Sequence, residues 1–318
     1  MKDVIITPGS TKQLYPNNGT YIFDTGIHEY ATGAKSFAMW LGSNVRLVGR
    51  PGSVIRVTGD GVFGMGLNAE NIIIEGLTIE RVGFAGVSNF ATALEFRGCR
   101  NVEISDCKFI GHGGMCIKLC RDCGFAADGR AFDSLGNAMF GSANVLIRDC
   151  EFLSTAGAAI GCKPGGASHV DILRCEVNGF GSYGICIEGD AGGGRRGSVS
   201  HVTVADCEIT NGDPSRYFGP TNDSIYGIYV GEDAHDIKVR RNKIANLTAK
   251  NRRYGISVCT SISQGDRPVS DVEVSQNACD ESANRLLVWS GKSKVSGLVV
   301  QSQPGMQIDR VNQQSGAK

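Results

Sequence analysis

One short phrase recurs along this chain and restricts what it can fold into: a polar residue, a β-branched residue, any residue, then another aliphatic. It reads Asn44-Val45-Arg46-Leu47, Asn71-Ile72-Ile73-Ile74, Asn101-Val102-Glu103-Ile104 and Asn144-Val145-Leu146-Ile147. It continues as His169-Val170-Asp171-Ile172, His201-Val202-Thr203-Val204, Asp236-Ile237-Lys238-Val239 and Asp271-Val272-Glu273-Val274, with a worn copy at Lys294-Val295. The β-branched positions are 45, 72, 102, 145, 170, 202, 237, 272 and 295, so the intervals run from 23 to 43 residues. Self-similarity at that period, with insertions between copies, belongs to a stacked array rather than to a globule with one centre.

Each copy holds three short pieces with period-2 alternation. The second piece follows a bend, as in Cys107-Lys108-Phe109, Cys150-Glu151-Phe152, Cys175-Glu176-Val177 and Cys207-Glu208-Ile209. The third begins at a small residue, as in Gly184-Ile185-Cys186-Ile187-Glu188, Gly227-Ile228-Tyr229-Val230 and Gly255-Ile256-Ser257-Val258. Three strands in as few as 23 residues predict one turn of a right-handed parallel β-helix, an all-β solenoid. It should have about nine to ten turns, with like strands stacked at roughly 4.8 Å. One column tests the prediction: Cys107, Cys150, Cys175, Cys207, Asn242 and Asn277 all stand five residues after the β-branched position. An inward Asn at that bend can take the left-handed conformation and bond its stacked neighbours, and Cys packs there as a small hydrophobe. Residues 1–36 are expected to cap the helix, 37–303 to form it, and 304–318 to cover or trail from the other end, because open ends expose strand edges.

With the phrases Gly19-Thr20-Tyr21-Ile22-Phe23 and Gly49-Arg50-Pro51-Gly52-Ser53-Val54-Ile55 added, roughly residues 15–300 resemble the pectate-lyase-like β-helix superfamily. That resemblance implies polysaccharide lyases, polygalacturonase-like hydrolases, epimerases or phage tailspikes, since one fold hosts many functions. It also implies that the third-strand sheet carries the site. Gly111-His112-Gly113 resembles a stretch of polygalacturonases, whose paired-aspartate motifs and Arg-Ile-Lys triplet are absent from this chain.

Composition excludes some partners. The 32 basic and 32 acidic residues leave no net charge to favour nucleic acid or a membrane surface, and no apolar run approaches a membrane span. The N-terminus, Met1-Lys2-Asp3-Val4-Ile5-Ile6-Thr7, lacks the apolar core of a signal peptide, which leaves the location open: cytoplasmic synthesis is compatible with staying inside and with virion or extracellular use. Zinc would need His112, Cys116, Cys120 and Cys123, but strand direction separates these side chains and the spacing fits no zinc pattern, so free thiols are expected. No cofactor is expected; calcium could use the oxygens of Glu188, Asp190, Glu232 and Asp233. Either a monomer or a tailspike-like homotrimer fits.

Insertions at 120–142, 189–198, 210–225, 246–254 and 260–268 flank the third-strand sheet on both sides. Loops walling a rigid sheet make a groove for an extended ligand. Alternation points Glu95 and Arg97, Cys116 and Lys118, Gly161 and Lys163, Cys186 and Glu188, Tyr229 and Gly231, Ser257 and Cys259, and Leu287 and Trp289 outward. On this reading Arg97, Lys118, Lys163 and Glu188 form one consecutive column. The expected catalytic centre is Glu188 with Asp190, Lys163, Lys118, Tyr229 and Glu232. Glu188 and Asp190 would lie roughly 7 Å apart by strand rise, a spacing that suits an inverting pair of carboxylates. In a lyase, Lys163, Lys118 or Tyr229 would instead abstract the proton beside a substrate carboxyl. Glu95, Arg97, His112, Arg195, Arg216, Tyr217, Arg253, Tyr254 and Trp289 would hold substrate, His112 from Lys118's end, because Arg pairs with carboxylate or sulfate and aromatics stack on sugars. A solvated sheet face with alternating charges would look similar in sequence.

The reading that follows is a carbohydrate-active β-helix cleaving an extended, acidic polysaccharide, with hydrolysis slightly ahead of β-elimination. Its rivals are a polymer-level uronate epimerase, a non-catalytic adhesin or tailspike body, and a purely structural solenoid.

Overall fold

The computed structural model describes residues 2–9, 13–33, 36–83, 91–120, 141–162, 166–189, 198–218, 224–250, 252–260, 268–290, 295–301 and 306–312. Three parallel sheets of 12, 10 and 9 strands run the length of this region, one for each strand of the repeat. Every strand pairs with its equivalent one turn away, as Val102 does with Ile72 and Val145. A parallel crossover that returns to the same sheet is right-handed, so the array is the expected parallel β-helix. Among the described residues, the only helix is a single turn, Ser215–Phe218. At one end Lys2–Ile6 pairs with Gly19–Phe23 and extends the first-strand sheet. At the other end Gln307–Asn312 pairs with Arg285–Ser290.

The interior is one continuous stack of aliphatic and aromatic side chains from all three sheets. Phe109 and Phe152 lie face to face at 5.0 Å with ring planes 7° apart, one above the other on successive turns. A solenoid without a centre buries its core rung against rung, which is why each turn repeats the same inward residues.

The polar first residue of the phrase now has a physical reason. Asn44, Asn71, Asn101, Asn144, His169, His201, Asp236 and Asp271 all have φ between 53° and 59°. Left-handed backbone is costly for branched and bulky residues and cheaper for Asn, Asp and His. The amides then form an outer ladder: Nδ2 of Asn44, Asn71, Asn101 and Asn144 donates to Oδ1 of the preceding Asn at 3.0, 2.8, 3.0 and 3.1 Å. His169 and His201 extend the column by stacking at 4.6 Å.

At the bend the expectation needs one correction. The left-handed residue is the one before the ladder position: Asp106, Asp149, Arg174, Asp206, Arg241 and Gln276, at φ 50–58°. The Cys and Asn side chains themselves point inward and close the bend. Asn242 Nδ2 donates to the Val204 carbonyl at 3.0 Å and Asn277 Nδ2 to that of Val239 at 2.9 Å. Cys107, Cys150, Cys175 and Cys207 aim Sγ at the equivalent carbonyls of Ile74, Ile104, Ile147 and Ile172 at 3.7–3.8 Å. The thiol is a weaker donor in the same role, with the same inward direction. Hydrogen bonding to Cys150, together with burial, pushes the Cys175 thiol up to about 12. These are free thiols buried in the core.

Candidate functional site

The third-strand sheet presents two outward columns. One runs Met65, Glu95, Lys118, Gly161, Cys186, Tyr229, Ser257 and Leu287. The other runs Leu67, Arg97, Cys120, then Glu188, Gly231, Cys259 and Trp289. Lys118 therefore stands beside Glu95 and not between Arg97 and Glu188, where Cys120 follows Arg97. The expected column was misregistered by two residues on that rung. Its strand starts at Ile117, after Gly114 and Cys116 close the corner through their bonds to Ala91 and Ala158. A slip of two keeps every side chain on its face, so alternation could not detect it.

Register turns the N-terminal end of this outward face into an ion cluster. Glu95 is 2% exposed although it faces outward. Its Oε1 accepts from Arg97 Nη2 at 2.8 Å, Arg97 Nε at 2.9 Å and Lys118 Nζ at 3.1 Å. Cys120 Sγ approaches the same oxygen at 3.7 Å. Burial pushes the Glu95 carboxyl up, but Lys118 and Arg97 outweigh it and leave it below its ordinary value. Glu95→Gln should cost about 3 kcal/mol of stability, because one amide would face two largely buried cations. Urea melts at neutral pH measure this, and a loss under about 1 kcal/mol would show the cluster to be solvated.

The other end is aromatic. Tyr183, Tyr226 and Tyr254 stack on successive rungs at 5.5 and 5.9 Å. Tyr229 leans against Tyr183 at 5.1 Å and Tyr226 at 5.6 Å. Arg285 lies over Tyr254 at 5.3 Å and Arg252 over Trp289 at 5.7 Å, both within cation–π reach. Tyr226, Tyr229, Tyr254 and Trp289 pack with Cys259 and Leu287 into a cluster separate from the interior. Tyr183, Tyr226 and Arg285 are absent from the sequence-derived site. Their signal was a tripeptide repeated on consecutive rungs, Tyr183-Gly184-Ile185, Tyr226-Gly227-Ile228 and Tyr254-Gly255-Ile256. Glycine is required at its centre, because a Cβ on Gly184 or Gly227 would stand 2.5 Å from the next rung's carbonyl.

Glu188 lies between these two ends, 7% exposed, and Cys186 Sγ donates to its Oε2 at 3.6 Å. Gly231 is paired with Glu188, and Glu232 follows it on the next rung, where its backbone carbonyl accepts from Gly189 N at 2.8 Å. Glu232 and Asp233 are both left-handed, at φ 37° and 61°, which turns the chain sharply off the sheet. Tyr229 is mostly buried; burial first, then Cys259 and Glu188, pushes its phenol well above its ordinary value. It is held neutral and can donate a hydrogen bond, which does not suit the role of proton-abstracting base.

Of the rim residues, Arg216 is exposed, 3.5 Å from Asp213, and Tyr217 is half-buried. Arg253 is exposed on the rung of Ile225. Lys163, Asp190 and Arg195 lie outside the described residues, as does Cys123. His112 is a correction: it does not reach the outward face of the third-strand sheet. Left-handed Gly111, φ 73°, turns it into the interior, where it is 1% exposed and its Nε2 donates to the Ile79 carbonyl at 3.2 Å. Cys116 and Cys120 diverge, toward Thr155 and Glu95 respectively. Among the described residues, no three His, Cys, Asp or Glu side chains converge on a point that could hold a metal ion. Among them, too, no helix is long and apolar enough to cross a membrane.

Similarity to solved structures covers nearly the whole chain at low identity. The Yersinia enterocolitica Family 28 exopolygalacturonase superposes with a TM-score of 0.53 at 12% identity, over 98% of this chain and 78% of that one. A hyperthermoactive exopolygalacturonase from Thermotoga maritima gives 0.51 at 13%, over 92% and 79%. An iota-carrageenase complexed to iota-carrageenan fragments gives 0.55 at 10%, over 99% and 94%. No curated protein matches in sequence. At such identities these likenesses establish the fold. The family model described as "Right handed beta helix region" matches residues 42–244 and again 138–308, and this chain belongs to that family.

Proposed function

We propose that the outward face of the third-strand sheet binds an extended polysaccharide and cleaves it, by hydrolysis ahead of β-elimination. The observation that carries this reading is a buried carboxylate, Glu188, on the same sheet as a terrace of five aromatic side chains. Aromatic faces stack on the C–H faces of sugar rings, and parallel strands repeat that surface at roughly 4.8 Å along the axis. The solved structures reported above include enzymes whose names place polygalacturonate and carrageenan, both anionic polymers, on this fold. Arg252 and Arg253, exposed at the rim, supply cations for an anionic chain.

Hydrolysis is favoured over elimination because the groups a lyase would use as base are constrained. Lys118 is tied to Glu95 as a cation, and Tyr229 is held as a neutral phenol. Glu188 would work with Asp190, two residues on, as the carboxylate pair that protonates the leaving oxygen and activates water. Incubation with a panel of acidic and neutral polysaccharides tests the reading, following reducing ends and unsaturated-uronide absorbance together. New reducing ends without that absorbance are expected. Both signals rising together would make the protein a lyase, and glycan retained without new ends would make it a binding module.

A further inference from the structure

Gly231 follows Glu188 in its column: it pairs with Glu188 on one side and with Cys259 on the other. It has no side chain to present to the groove, yet the position is not empty. A Cβ there would collide with Cε1 of Tyr229 and stand 2.7 Å from its Cζ and hydroxyl oxygen. The Tyr229 side chain starts in the neighbouring column, between Cys186 and Ser257, and crosses to lie over Gly231. The backbone of Gly231 lies outside the left-handed region, so space and not φ demands a glycine.

We propose that Gly231 is a positioning residue: its missing side chain lets the Tyr229 phenol cross onto the Glu188 column, placing the hydroxyl between Glu188 and Cys259. The inference rests on the reading of Glu188 as the centre of the groove. Tyr183 and Tyr226 pack against the same ring at 5.1 and 5.6 Å, so a methyl group at 231 must push the phenol out of its place over the Glu188 column.

A double-mutant cycle between positions 231 and 229 tests this, with two independent readouts. Gly231→Ala should lower Tm in the parent and leave it unchanged in a Tyr229→Ala background, because the clash has gone. On the polysaccharide the wild type cleaves, Gly231→Ala should lower kcat at least tenfold. Added to Tyr229→Ala, it should change kcat less than twofold. Additive losses of Tm would mean that Gly231 acts without Tyr229 and would overturn the positioning. Coupled Tm values with kcat unchanged in Gly231→Ala would keep the contact but remove its part in turnover. If no polysaccharide is cleaved at all, the groove reading fails, and the Tm cycle still decides the contact.

Discussion

Glu188→Gln is expected to lower turnover of the cleaved polysaccharide by a factor of roughly 10²–10⁴, the usual loss on removing a general acid or base. Gln keeps the shape and one acceptor oxygen for Cys186 Sγ, so the fold should be unaffected. Binding should stay within a few-fold, since the aromatic terrace and the rim arginines are untouched. Initial rates and equilibrium binding to an uncleaved analogue separate the two. Unchanged turnover would remove Glu188 from the centre, whatever the substrate. A parallel loss of binding would make Glu188 a gripping residue.

Acid should destabilise the protein through His112 before any carboxylate titrates. Burial first, then the charge of Arg81, brings His112 down from an ordinary 6.5 to about 3. The folded-state value is depressed, so above pH 6.5 neither state carries the proton and stability is fully present. As pH falls below 6.5 the unfolded chain takes up a proton the folded chain refuses, and stability drops until His112 titrates near 3. At about 1.4 kcal/mol per unit, the loss between pH 6.5 and 5 is about 2 kcal/mol. Glu95, held low by its two cations, adds its own loss only below its unfolded value near 4.5. Urea melts at pH 7 and pH 5 on wild type and His112→Gln should show the loss in the first and little of it in the second. Gln retains an N–H for the Ile79 carbonyl but does not titrate. Equal losses in both proteins would place the acid sensitivity elsewhere.

Much of the solenoid was legible because its cause is local and repeated. Every turn needs a left-handed corner, an inward aliphatic pair and a small bend residue, so Asn101-Val102-Glu103-Ile104 and Cys107 recur with the same spacing on other turns. Period-2 alternation also placed Glu188, Tyr229 and Trp289 on the outward face, where they stand. What alternation could not supply is register across a corner of variable length. Met115 and Cys116 belong to a corner and not to a strand, and that moved Lys118 from the Glu188 column to the side of Glu95. His112 failed for a related reason: one left-handed glycine before it reverses the side-chain direction, and a polar residue then points inward.

The chain by itself determined the architecture and most of the outward residues of the third-strand sheet, because these follow from a short pattern enforced at every rung. Only the tertiary structure decided which of those residues act together. Glu95, Arg97 and Lys118 became one buried cluster, and Tyr183, Tyr226 and Tyr254, each on a different turn, became one stack. Tyr229 came to rest over a glycine of its neighbour's column. Such contacts depend on distances of a few ångströms between turns, set by corner lengths and close packing that no single repeat encodes.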